Sequence, residues 1–255
     1  MKNILTLISI SLILTVTTCS SDKEVVSSKK LRKYYFPVEE LEKPKVYYYK
    51  SGEKSDQHLF WKLSKKVEDG KTYLITDAFT YSENGEIQKV EEIKERITEE
   101  GSFVVKYVQY EYDDLGNTFK LNSTMKDSCV FKWEMTSEKE IEWFFSNESV
   151  IFENYTHSIS KKRTLVGTDQ KVNYNETKNK AIQFSDHFTT KYTNRSTGSV
   201  DKTYEMNQTS YYSKGIGMVK YNRQFEDGSG ITFKLHDIMS LDEWNKKIEN
   251  SDNIK

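Results

Sequence analysis

Cysteine is almost missing from this sequence: Cys19 and Cys129 are the only copies in 255 residues, too few for a fold held by a disulfide framework. Proline is as scarce, and Pro37 and Pro44 both precede the first expected strand, so no proline interrupts a sheet ladder beyond Tyr47. No apolar run after residue 18 approaches the roughly 20 residues that a helix needs to cross the hydrocarbon core. An excess of one charge is lacking too. Lys and Arg number 38 against 39 Asp and Glu, and the formal net charge is −1. Taking away residues 1–18, which hold Lys2 and no acid, makes it one unit more negative. A nucleic-acid partner is therefore not expected, since phosphate neutralisation needs a basic face.

Catalytic and cofactor motifs are also lacking. His58, His157, His187 and His236 have neither the i, i+4 spacing nor the C-x-x-C companions of a metal site, which leaves only a site gathered across strands. There is no G-x-S-x-G elbow, and Cys129 has no local His. Asp113-Asp114 and Glu91-Glu92 are sequence neighbours, which a strand points to opposite faces. The sequence thus implies no cofactor and no catalytic residue. Six N-x-S/T sequons, at Asn122, Asn147, Asn154, Asn175, Asn194 and Asn207, keep a eukaryotic secreted protein as a rival reading.

What is present begins with an export signal: Lys2 as the positive region, Ile4–Val16 as a short apolar region, then Thr17-Thr18. Val16-Thr17-Thr18-Cys19 resembles the lipobox of bacterial lipoproteins, with Thr18 in the place usually taken by Gly, Ala or Ser. The resemblance implies a signal peptide at 1–18 and lipidation of Cys19, so that the membrane is a partner through the acyl chains. The alternative is an ordinary secretory signal, with Cys19 free or bridged to Cys129. Ser20, in place of the Asp that retains such proteins at the inner membrane, points to the outer membrane. Residues 19–33 read as the lipidated Cys and a flexible tether, of which residues 20–33 could reach about 46 Å fully stretched. Its cluster Lys29-Lys30-Leu31-Arg32-Lys33 reads as solvated or as a contact with anionic headgroups.

Residues 34–255 read as one β-rich domain. Cys129, Phe131, Trp133 and Met135 share one face at period two; Ile141, Trp143 and Phe145 repeat the pattern, as do Val219, Tyr221, Arg223 and Phe225, less cleanly, and Ile231, Phe233 and Leu235. Tyr, with 17 copies, suits a half-buried pleated surface. Turn pairs such as Asp69-Gly70, Asn84-Gly85 and Thr197-Gly198 fit hairpins. The expectation is a mainly β fold, a large curved antiparallel sheet. A sheet so wide must form a half-barrel, close into a barrel or split into a sandwich. A C-terminal helix is signalled by the capping box Ser240-x-x-Glu243 and the stripe Leu241, Trp244, Ile248, to pack across a sheet edge or a barrel end. A further short turn is expected at Val38–Leu41.

Tyr34-Tyr35-Phe36-Pro37 and the run from Tyr211 to Lys220, with Gly215 and Gly217, resemble segments of periplasmic lipoprotein-carrier half-barrels and related lipoproteins. That resemblance covers about a tenth of the chain, and implies a helix against the concave side and an apolar hollow. Within such a hollow, Phe131, Trp133, Trp143 and Phe145 are the candidate ligand-lining residues; core packing is the other explanation for them. Three functions remain open: an anchored envelope protein binding a hydrophobic ligand or an envelope partner, a structural or adhesion module, and an envelope hydrolase with dispersed residues. Replacing Cys19 with Ala is expected to move the protein from the membrane fraction to the soluble fraction. Unchanged fractionation would refute lipidation at that residue.

Overall fold

The computed structural model describes residues 31–52, 56–126, 128–149 and 154–252. Cys19, the signal segment and most of the tether lie outside the described residues. Short 3-10 turns at Arg32–Tyr34 and Val38–Glu40, the second as expected, lead into the sheet. Its first strands are β1 (Lys45–Ser51), β2 (His58–Glu68), β3 (Lys71–Tyr81), β4 (Ile87–Ile97) and β5 (Gly101–Tyr112). Three short strands follow, β6 (Thr118–Asn122), β7 (Thr124–Lys126) and β8 (Cys129–Lys132), then β9 (Glu140–Glu148). The long strands β10 (Tyr155–Tyr174), β11 (Thr177–Asn194) and β12 (Val200–Ser213) precede β13 (Gly217–Phe225), β14 (Gly230–Ser240) and helix α1 (Leu241–Asp252).

Hairpins make most neighbours, and antiparallel pairing of β1 with β14 joins the two halves of the chain. The sheet runs β6-β5-β4-β3-β2-β1-β14-β13-β12-β11-β10-β9-β7. Its two ends are consecutive in sequence. Only Ser123 separates β6, paired with β5, from β7, paired with β9, so one bent segment bridges both edges and the barrel is nearly closed. β8 then returns to β5. The turns follow the expected chemistry: at Asp69-Gly70 both residues have positive φ, as a type I′ hairpin requires.

Alternation sorts side chains to two faces. On β1, Tyr47 and Tyr49 enter the main core with Leu63, Leu74 and Phe233, whereas Val46 and Tyr48 face outward. The expected faces are visible: Phe131, Trp133, Met135, Ile141 and Phe145 are all buried, while Phe225 at the far end of β13 is exposed. Cys129 is half-buried, and burial pushes its thiol up.

Helix α1 starts at the expected capping box, where Glu243 N–H donates to Ser240 Oγ at 3.2 Å and Ser240 N–H donates to the Glu243 carboxylate at 2.7 Å. It does not lie on the concave side. Trp244 packs with Val46, Tyr48, Phe60 and Met239 on the face opposite the main core. The concave place is filled by the chain's own N-terminal segment instead: Leu31, Tyr34, Tyr35, Phe36, Val38 and Leu41 all belong to the main core. Phe36 packs on Tyr47 and Trp61, opposite each other on β1 and β2, and on Tyr212 of the distant β12. Burying six large apolar residues inside outweighs what a helix with one narrow stripe would gain there.

Folded structure therefore begins before Tyr34. Leu31, read from the sequence as part of the tether, is 1% exposed; its N–H donates to Trp133 O, and Lys33 O accepts from Gly215 N–H at 2.8 Å. The turn after β12 is shaped for this segment. Gly217 has φ +100°, and a Cβ there would come 2.4 Å from Phe36 Cδ1. Gly217→Ala combines a strained backbone with overpacking and is expected to cost about 2–4 kcal/mol in urea unfolding; a cost below about 1 kcal/mol would show that Phe36 is not held there.

Candidate functional site

Period-two alternation on the long strands aims charged side chains inward as well as apolar ones. Asp186 lies between Phe184 and Phe188 on β11, Glu95 between Ile93 and Ile97 on β4, and Arg163 between Lys161 and Leu165 on β10. Strand register then sets a row across the sheet: Arg163 opposite Asp186, Asp186 opposite Gln208, and Gln208 opposite Arg223.

Asp186 is the hub of this row and has no exposed surface. Arg163 grips it with two bonds, Nε to Oδ1 at 2.6 Å and a terminal nitrogen to Oδ2 at 3.0 Å. Ser210 Oγ donates to Oδ2 at 3.0 Å, and Lys161 Nζ lies 3.3 Å from the same oxygen. The row ends where Arg223 Nε donates to Gln208 Oε1 at 2.9 Å. Burial raises the Asp186 carboxyl, but Arg163 and Lys161 outweigh it and hold the group at about 2. Burial and then the Arg163 charge pull the Lys161 ammonium down to about 7, against the attraction of Asp186.

A second carboxyl faces the same interior. Glu95 accepts from Tyr35 Oη and Ser102 Oγ. Burial raises its pKa in spite of those bonds and of Arg163 and Lys161. Burial and Glu95 together keep the Tyr35 phenol protonated.

Between these groups lies a cavity of about 150 Å³, lined by Thr76, Glu91, Glu95, Lys161 and Arg163 on the polar side and by Trp61, Tyr107, Trp143, Phe145 and Tyr212 among the aromatic ones. Arg163 holds Asp186 bidentately, so Lys161 stands beside a carboxylate that is already gripped. It sits over the rings of Phe188 at 4.7 Å and Trp143 at 5.7 Å.

The four aromatic residues singled out in the sequence separate here. Trp143 and Phe145 stack with centroids 5.3 Å apart and line the cavity. Phe131 and Trp133 do not line it. They pack on Tyr35 at 5.0 and 5.4 Å, closing the core over the N-terminal segment. Sequence reading missed Glu95, Lys161, Arg163 and Asp186, although a charge flanked at i±2 by apolar residues on a strand marks Glu95 and Asp186. The histidines lie elsewhere: His58 and His236 against Tyr48, His157 against Tyr192, and His187 beside Asn207.

No protein-family model matches the sequence, and no curated protein is significantly similar to it. Among solved structures, the chain is similar to the crystal structure, at 2.70 Å resolution, of a protein from Parabacteroides distasonis described as a lipoprotein. The TM-score is 0.47 and the identity 10%, over 79% of this chain and 95% of that one.

The charge cluster makes opposite demands on its members. Asp186→Asn leaves two buried cations without a carboxylate and should cost about 3–5 kcal/mol in urea unfolding. Lys161→Met, which leaves the Arg163–Asp186 pair intact, should cost less than about 1 kcal/mol. The signs with pH differ too. Held below its ordinary 3.8, Asp186 contributes stability above that pH that is lost as pH falls towards about 2. Lys161, lowered from 10.5 to about 7, makes stability rise with pH between those values, and Lys161→Met should flatten that rise. Equal destabilisation by the two variants would refute the assignment of Asp186 as hub.

Proposed function

We propose that this is a non-enzymatic lipoprotein of the bacterial cell envelope, anchored through acylated Cys19 at the outer membrane, whose barrel interior binds a small amphipathic anion. The anchor rests on the lipobox resemblance and on the cysteine count. The binding role rests on one observation: a buried cation, Lys161, whose carboxylate neighbour Asp186 is already gripped by Arg163, faces a cavity with an aromatic wall. The wide hollow implied by the half-barrel resemblance is occupied by residues 31–41, so the ligand must be small. About 150 Å³ matches an apolar cavity known to take a molecule the size of benzene. A carboxylate on a compact apolar body fits both walls, with Lys161 as its cation.

Benzoate and straight-chain carboxylates of four to eight carbons, with benzyl alcohol as the neutral contrast, provide the probes for calorimetric titration of the purified chain. Benzoate or one of the carboxylates is expected to bind more tightly than the alcohol. Lys161→Met should weaken that binding at least tenfold, and Ala78→Leu, which fills the cavity from β3, should abolish it. Affinity should fall as pH rises through about 7, where Lys161 loses its proton. Tight binding that ignores both substitutions, or no binding by any probe, would discard the ligand role while leaving the anchor untouched.

A second reading, an envelope hydrolase, is favoured by the opposed shifts of Glu95 and Lys161 on one cavity. It requires turnover of a model ester that Glu95→Gln removes. Binding without turnover favours the first.

A further inference from the structure

Three lysines stand in register on the outside of the sheet. Lys50 on β1 is directly opposite Lys234 on β14, which is directly opposite Lys220 on β13. Paired residues share a face, and these alternate with Tyr49, Phe233 and Tyr221, which enter the core. Opposed Cβ atoms lie about 4.5–5.5 Å apart, and like charges so placed destabilise a sheet. Like-signed pairs occur elsewhere in the sheet, but Lys94 opposite Lys106 has a carboxylate for each member, Glu68 and Glu92. The ladder of lysines runs across three strands.

Compensation within the chain is incomplete. Lys50 has Asp56 at 3.1 Å, and Lys220 lies over the ring of Tyr211 at 5.3 Å. Among the described residues no carboxylate comes within 4 Å of Lys220 or Lys234. All three lysines line one open cleft of about 1020 Å³, with Asn173, Asn175 and Thr232 as further polar walls and Asp56 and Glu176 as its carboxylates. That volume suits a ligand with a polar body.

We propose that this cleft binds a phosphate-bearing small molecule, the phosphate bridging Lys220 and Lys234 and the polar body meeting Asn173, Asn175 and Thr232. A doubly charged anion neutralises two adjacent ammonium groups at once, which a single carboxylate does not, and lysine serves phosphate as a point charge. The same chemistry is offered by the phosphomonoester headgroup of phosphatidic acid and by a free phosphorylated compound. The site is separate from the interior cavity and does not depend on the role given to it.

The full chain in mild detergent is titrated calorimetrically with pyrophosphate, for the free source, and with dihexanoyl-phosphatidic acid, for the headgroup. At least one is expected to bind, and the double substitution Lys220→Gln, Lys234→Gln should weaken it at least tenfold. Lys71→Gln, at the exposed start of β3, and Lys161→Met should leave it unchanged. Removing like-charge neighbours should keep or raise the urea midpoint; if the double variant fails to fold, Lys234→Gln alone carries the test and Lys234→Arg should retain binding. Binding of pyrophosphate alone, of the lipid alone or of both, with the tenfold loss, supports the site and names its source. Absence of binding by either probe, or undiminished binding in the substituted chain, overturns it.

Discussion

The clasp of Arg163 on Asp186 is the constraint around which the interior is arranged. A carboxylate with no exposed surface survives only if its charge and lone pairs are met. Arg163, Ser210 and Lys161 meet them from two neighbouring strands. That requirement fixes β10, β11 and β12 in one register, because a one-residue slip would turn the carboxylate outward and leave the guanidinium inside alone. The long strands can then carry bulges near Leu165 and Gly167 without losing alignment.

With Asp186 satisfied, two groups are left in electrostatic tension with their surroundings. Lys161 is drawn to the same oxygen as Ser210 and pushed away by Arg163; Glu95 is held by hydroxyls instead of a formal cation contact. Both are tuned towards neutrality by burial. The interior is thus a polar seam running through an aromatic core, unlike a uniformly oily barrel.

The strands were legible because alternation is local: Phe131, Trp133, Ile141 and Phe145 declare a buried face within a few residues. Helix α1 was legible for the same reason, its cap and stripe lying within Ser240–Ile248. Closure was not, since nothing in the residues around Ser123 says that β6 pairs with β5 while β7 pairs with β9. Nor was the fate of Tyr34-Tyr35-Phe36, which has no period and finds its partners far along the chain at Trp61, Phe131 and Tyr212. Of the site, Trp143 and Phe145 were reachable through their apolarity, whereas Lys161 and Arg163 look in sequence like ordinary surface charge. Only cross-strand register, a long-range property, tells the two apart.

The threading of residues 31–41 through the barrel has a mechanical corollary. Tension arriving along the backbone from the N-terminal side reaches Leu31, Tyr35 and Phe36 before it reaches β1. Those residues are wedged among rings on several strands, so a pull would be shared by the whole wall and would not peel one strand from an edge. Withdrawing this stopper would require the ring contacts of Tyr35 and Phe36 with several strands to break together.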